Sequence, residues 1–206
     1  MASHQFLQKN RRQGGYTIIE LGIALTIVAV LIISGLAGVT AVLNSTRAND
    51  QIASAGQTIA KLQSVVSTSA DLTGLTTQQA IGLSLFPNNR VNAARTAVIG
   101  VFSGGSEFIA TNGAAIAGFG AAIPANRAGL YVIHNIPQAV CTDVALALAP
   151  LADSAWVNAT PLAQIAINAA PAANNIRTNG AAVAPVAVSN ACALNALSSL
   201  QLLIRP

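Results

Sequence analysis

Arg11-Arg12-Gln13-Gly14-Gly15-Tyr16-Thr17-Ile18-Ile19-Glu20-Leu21 is the stretch on which the reading of the whole chain turns. Glu20 opens a run that carries no further charge until Arg47. A carboxylate at the edge of a membrane-length apolar segment is costly, roughly 2.5–3.5 kcal/mol at the bilayer centre on insertion scales. An ordinary membrane anchor has no use for such a residue, so Glu20 demands a partner.

Leu21–Leu43 spans 23 residues without a charge. As a helix it would be about 35 Å long, enough for the roughly 30 Å hydrocarbon core. Lys9, Arg11 and Arg12 precede it, and basic flanks stay cytoplasmic, which sets the N-terminus in and the C-terminus out. A secretory signal peptide should have an apolar region of roughly 7–15 residues, shorter than this one and without a leading carboxylate. A plain signal anchor accounts for the length and orientation, but not for Gly14-Gly15-Tyr16 or Glu20.

Gly15-Tyr16-Thr17-Ile18-Ile19-Glu20-Leu21, behind a basic leader and before a long apolar helix, resembles the N-terminus of type IV prepilins. That resemblance implies cleavage by a prepilin peptidase between Gly15 and Tyr16, and N-methylation of Tyr16. It places Glu20 fifth in the mature chain; a cut after Gly14 would make it sixth. It also implies that Glu20 is answered by the cationic N-terminus of Tyr16 on an adjacent copy, a pair that is strong in low dielectric and can set register. Glu20 near a helix start is favoured by the helix dipole as well.

The chain has 206 residues, 53% hydrophobic and only 8% charged, against roughly a quarter charged in an average soluble domain. Its net charge of +4 owes much to the leader. Without Lys9, Arg11 and Arg12, seven basic residues (Arg47, Lys61, Arg90, Arg95, Arg127, Arg177, Arg205) face six acidic ones (Glu20, Asp50, Asp71, Glu107, Asp143, Asp153). No basic stripe interleaved with aromatics is present to hold a phosphate backbone, so direct nucleic-acid binding is not expected. Low charge and small side chains suit surfaces that pack on one another.

The helix is expected to continue past the apolar run. Ala48, Ile52, Ala55, Ile59, Leu62 and Val66 recur at helical spacing and form one apolar stripe, with Asp50, Gln51, Gln57, Thr58 and Lys61 off it. No proline interrupts Tyr16–Asp71. The reading is therefore a 1–15 leader, a 16–69 helix with its transmembrane part at 21–43, and a 70–206 globular head. Gly35 and Gly38 weaken the helix locally and mark a stretch expected to unwind on leaving lipid for a filament.

In the head, a short helix is expected at Thr77–Leu83. A hairpin is expected from Ala97–Phe102 and Glu107–Thr111, and a Gly/Ala loop over Asn112–Ala122. A strand over Leu130–Ile136 leads through Pro137 into a helix over Gln138–Ala149. Leu162–Asn168, Ala182–Val188 and Ser199–Ile204 read as further strands. Helix spine plus antiparallel sheet gives an α+β class.

The two cysteines, Cys141 and Cys192, would close a loop of 52 residues in an oxidising compartment. The family resemblance implies the same bond, since a C-terminal disulfide commonly staples a pilin head. No His or carboxylate cluster joins them at zinc spacing, and no acidic loop suits calcium. His134 reads as a structural residue and Trp156 as core. No nucleophile–base arrangement or phosphate loop stands out, and no cofactor is expected. Asn44-Ser45-Thr46 and Asn158-Ala159-Thr160 match the glycosylation sequon and are assigned no modification.

The resemblance thus implies a structural subunit, not an enzyme. It would enter the inner membrane as a precursor and polymerise on an inner-membrane assembly platform into an extracellular homopolymer for adhesion, motility, aggregation or DNA transfer. The 191-residue mature length and the proline-free membrane helix point to the type IVb group, with its toxin-coregulated and conjugative pilins. The alternatives are a minor pilin, a type II secretion pseudopilin and, from another class, a membrane-tethered periplasmic enzyme.

Overall fold

The computed structural model describes residues 17–69, 71–72, 75–102, 104–110, 128–159 and 174–205. The chain divides into two units, Met1–Val42 and Leu43–Pro206. Helix α1, Ile18–Thr68, supplies the described structure of the first unit and opens the second.

In the second unit the apolar stripe of α1 is buried as its spacing predicts. Ala48, Ala55, Ile59, Leu62 and Val66 are buried, and Ile52 is half-buried against the core. Two residues placed off the stripe are buried as well. Gln51 accepts a hydrogen bond from the Val101 N–H (3.2 Å), and the Thr58 hydroxyl donates to the Ser54 carbonyl (3.0 Å). Gln51 enters the interior because a polar partner waits there, whereas Thr58 carries a partner on its own helix; a count of apolar positions registers neither.

The sheet has six antiparallel strands: β1 (Val98–Ile99), β2 (Gly105–Ala110), β3 (Gly129–Pro137), β4 (Ser154–Ala159), β5 (Asn175–Arg177) and β6 (Leu197–Ile204). Their spatial order is β1-β2-β3-β6-β4-β5, so the C-terminal strand lies centrally, between β3 and β4. One face carries Phe108, Tyr131, Ile133, Ala155, Val157, Leu200, Leu202 and Ile204 into a single core with the α1 stripe. Leu130, Val132, Trp156, Gln201 and Leu203, on the alternate positions, are buried too. Strand β6 is thus an unbroken buried run from Ser198, as expected of a strand covered on both sides. Asn135, at φ 58°, absorbs the irregularity where β3 shifts register against β6.

Three helices complete the unit. Helix α2, Thr77–Gly82, starts with a capping box in which Thr76 and Gln79 bond reciprocally. Its Thr77 hydroxyl bonds both the N–H (3.1 Å) and the carbonyl (3.2 Å) of Phe108, satisfying backbone groups of β2. Helix α3, Gln138–Leu148, follows Pro137 directly and runs into a 3₁₀ turn, Ala149–Leu151. Helix α4, Pro185–Ala193, carries Cys192, which is bonded to Cys141 of α3.

The α+β class, the α2 segment, the β1–β2 hairpin, β3, α3, β6 and the disulfide match the sequence reading. Ala182–Val188 does not: Pro185 opens α4 there instead of interrupting a strand. Proline at the first helical position loses no hydrogen bond, and its fixed φ suits a helix start. Strands β4 and β5 were not anticipated. The expected Asn112–Ala122 loop and Leu162–Asn168 strand lie outside the described residues.

Candidate assembly surface

Thr17 and Glu20 build the start of α1. The Glu20 N–H donates to Thr17 Oγ1 (3.3 Å) and the Leu21 N–H to the Thr17 carbonyl (3.1 Å). Thr17 therefore caps the helix, and Glu20 sits three residues on, in the first turn where the dipole favours an anion. Thr17-Ile18-Ile19-Glu20 has the spacing of a capping box, so the signal for the Thr17 cap lies in the sequence beside the carboxylate.

From Thr17 to Leu43 every residue whose side chain is described is exposed. Ile18 is 87% exposed, and Ile19, Ile23, Leu25, Leu31, Ile33, Leu36 and Val42 are uncovered with it. Two hydroxyls in this stretch turn back on their own helix: Thr26 donates to the Ile23 carbonyl (2.8 Å) and Ser34 to the Val30 carbonyl (2.9 Å). Such back-bonding satisfies a hydroxyl without water. The segment is long and apolar enough to cross a membrane. Gly35 and Gly38 lie inside continuous helix, and a Cβ added at either would meet nothing within 4 Å.

The remaining candidates lie in the second unit. Cys141 and Cys192 are both buried and joined, so neither is a free nucleophile. His134, on β3, has Nδ1 3.1 Å from Ser199 Oγ, while its Nε2 stands 3.9 Å from Glu107 Oε1. Ser199, His134 and Glu107 thus fall in line across three neighbouring strands. However, the Ser199 hydroxyl is buried, and the carboxylate stands beyond hydrogen-bond distance. The line holds strands together; it does not present a nucleophile. Trp156 is buried on β4. Asp153 and Arg205 pair at 2.5 Å, fixing the end of β6 to the start of β4. Among the described residues, no three His, Cys, Asp or Glu side chains converge as metal ligands would.

No family model matches the sequence, and no curated protein matches it. Among solved structures, the chain is similar to TcpA, a type IV pilin from Vibrio cholerae El Tor biotype, at 15% identity. The match covers 75% of this chain and 98% of that one, with a TM-score of 0.43.

Proposed function

We propose that this chain is a structural subunit of a type IV pilus, made as a membrane-inserted precursor and polymerised through α1 into an extracellular filament. The observation that carries the reading is the run from Ile18 to Leu43: a helix led by one carboxylate, whose large apolar side chains are uncovered. An apolar surface of that extent needs lipid or like helices around it. Lipid explains the apolar part, and the helix dipole offsets only about 0.3–1 kcal/mol of the cost of Glu20; a neighbouring copy offering a cationic amine answers both. An α+β head closed by a disulfide suits an exported, surface-exposed subunit.

In this reading residues 1–15 are a leader cut between Gly15 and Tyr16, and Tyr16 carries the methylated amine. Residues 16–69 form the assembly helix, with the transmembrane part at 21–43, and 70–206 the head. Glu20 of one copy pairs with the Tyr16 amine of the next, and Gly35–Gly38 unwinds as the helix leaves lipid. The prepilin peptidase, the inner membrane and its assembly platform are the partners before release, and other copies of the chain afterwards. The subunit is a major pilin of the type IVb kind.

N-terminal sequencing and intact mass of sheared surface filaments test this. The expected result is a chain beginning at N-methyl-Tyr16 that dominates the sheared material. A chain beginning at Met1, or beyond Ala41, overturns the prepilin reading. A trace component with the correct N-terminus makes it a minor pilin.

A further inference from the structure

Thr178-Asn179-Gly180-Ala181 turns the chain after β5. Asn179 (φ 49°) and Gly180 (φ 71°) both lie in the left-handed region, and the Ala181 N–H donates to the Thr178 carbonyl (2.9 Å). This is the mirror-image turn that an Asn-Gly pair favours. Both residues are exposed, and a Cβ added to Gly180 would meet nothing within 4 Å. Water therefore reaches the peptide between them, and no side chain shields its nitrogen.

An asparagine followed by glycine is open to attack by its own backbone. The Gly180 nitrogen gives up its proton to water and bonds to Asn179 Cγ. The bond from Cγ to the side-chain nitrogen breaks, and that nitrogen takes up a proton and leaves as ammonia. Water then opens the five-membered imide at either carbonyl, which leaves aspartate or isoaspartate at 179.

Three bonds of the fold oppose the first step. The Gly180 N–H donates to the Asp153 carbonyl (2.8 Å), which holds the proton that must leave. The Asn179 N–H donates to Oγ of the buried Ser154 (3.0 Å), and Arg177 Nη2 donates to the Gly180 carbonyl (3.3 Å). Together they pin the turn to the start of β4. Closing the imide requires rotation between Asn179 Cα and its carbonyl, and a pinned turn resists that rotation.

We propose that Asn179 is a fold-guarded deamidation site: it stays an amide while its turn is clamped to β4, and converts through the imide when the β4–β5 edge opens. β5 suits such opening, since it has three residues and lies at the edge of the sheet, paired with β4. Isoaspartate puts one more methylene into the backbone between residues 179 and 180. The Gly180 and Ala181 amides then lose the register of their bonds, so conversion is one-way and leaves the edge loosened. The site lies wholly in the second unit and is independent of the filament reading.

Peptide mass spectrometry of the purified full-length chain tests this, with aspartate and isoaspartate at 179 resolved chromatographically over days at mildly alkaline pH. Asn112-Gly113 sits in the same Thr-Asn-Gly-Ala-Ala sequence and serves as the reference in the unfolded, reduced chain, where both asparagines should convert at one rate. In the folded chain Asn179 should convert at least about tenfold more slowly than in the unfolded one. Ser154→Ala removes one clamp and should raise the folded-state rate at least about twofold, with the unfolded-state rate unchanged. Native-state hydrogen exchange of the Gly180 amide, expected to be slowed at least about tenfold, reads the guard without a variant. Equal conversion of Asn179 in folded and unfolded chains, or unprotected exchange at Gly180, overturns the guard. No conversion at Asn179 in the unfolded chain, while Asn112 converts, overturns the site.

Discussion

Thr58 on α1 and Tyr131 on β3 meet through their hydroxyls inside the second unit, with Ser106 of β2 as the third member. The helix that carries the candidate assembly surface is thereby keyed to the middle of the sheet by a polar contact in an apolar interior. The Tyr131 ring also lies 6.1 Å from that of Phe86, tilted against it. Tyr131→Phe keeps the ring and strips two buried hydroxyls of a partner. It should lower stability by about 1–2 kcal/mol, which thermal unfolding followed by circular dichroism measures.

The same contact gives a dependence on pH. Burial pushes the Tyr131 hydroxyl up from 10.0 to about 12, against the smaller opposing effect of its hydrogen bonds to Ser106 and Thr58. The folded state therefore holds this proton more tightly than the unfolded state. Its contribution is complete below pH 10 and is lost as pH rises from 10 towards 12, a fall of roughly 2–3 kcal/mol. Tyr131→Phe removes that fall, so the two stability curves converge at high pH. Curves that stay parallel from neutral pH to pH 12 would contradict the assignment.

Gly129 and Gly56 should respond to alanine in opposite directions. A Cβ on Gly129 would stand 2.2 Å from Phe108 Cε2 and Cζ, and that ring is buried in the core. Overpacking of this kind costs typically 1–3 kcal/mol. Gly56 sits inside α1, where a Cβ would meet nothing within 4 Å. Alanine there gains up to about 1 kcal/mol of helix propensity. Chemical denaturation of the two variants side by side measures both signs.

The Cys141–Cys192 bond joins α3 to α4 across a sequence separation of 51. The chain-entropy model assigns about 4 kcal/mol to a loop of that size. Cys141→Ala with Cys192→Ala should lower the denaturation midpoint accordingly. The intact mass of the unaltered chain should rise by two hydrogens on reduction, and equal masses before and after would rule the bond out in solution.

What could be read from the sequence follows from how each element earns its burial. The stripe Ala48–Val66 was legible because one face of a helix meets one core, which leaves a 3.6-residue period in the sequence. Thr17 and Thr58 were harder: a hydroxyl that caps a helix or meets a buried tyrosine has the same symbol as a solvated one. Helix α4 was misread because Val183, Val186 and Val188 around Pro185 suggest a strand, while what decides is that Ala184 is extended and Pro185 fills the first helical turn. Strand β4 left no alternation, since Ala155, Trp156 and Val157 are buried in succession. The disulfide was legible because only two cysteines exist to pair.

Glu20→Ala should act on membrane residence and on assembly in opposite directions. Removing a carboxylate from the edge of the apolar run eases insertion, by up to the roughly 2.5–3.5 kcal/mol that an acid costs at the bilayer centre. The helix start loses only a first-turn anion, about 0.3–1 kcal/mol, and keeps its Thr17 cap. The precursor should therefore fractionate with the membrane at least as fully as the unaltered chain. If Glu20 pairs with a neighbouring amine as proposed, filaments should nevertheless be absent, because that amine is left without its carboxylate. Quantitative blots of the membrane and sheared fractions from the same cells decide it. Filaments at the normal level from Glu20→Ala would leave the carboxylate as a helix-start feature alone, and the pairing of Glu20 with Tyr16 would fall.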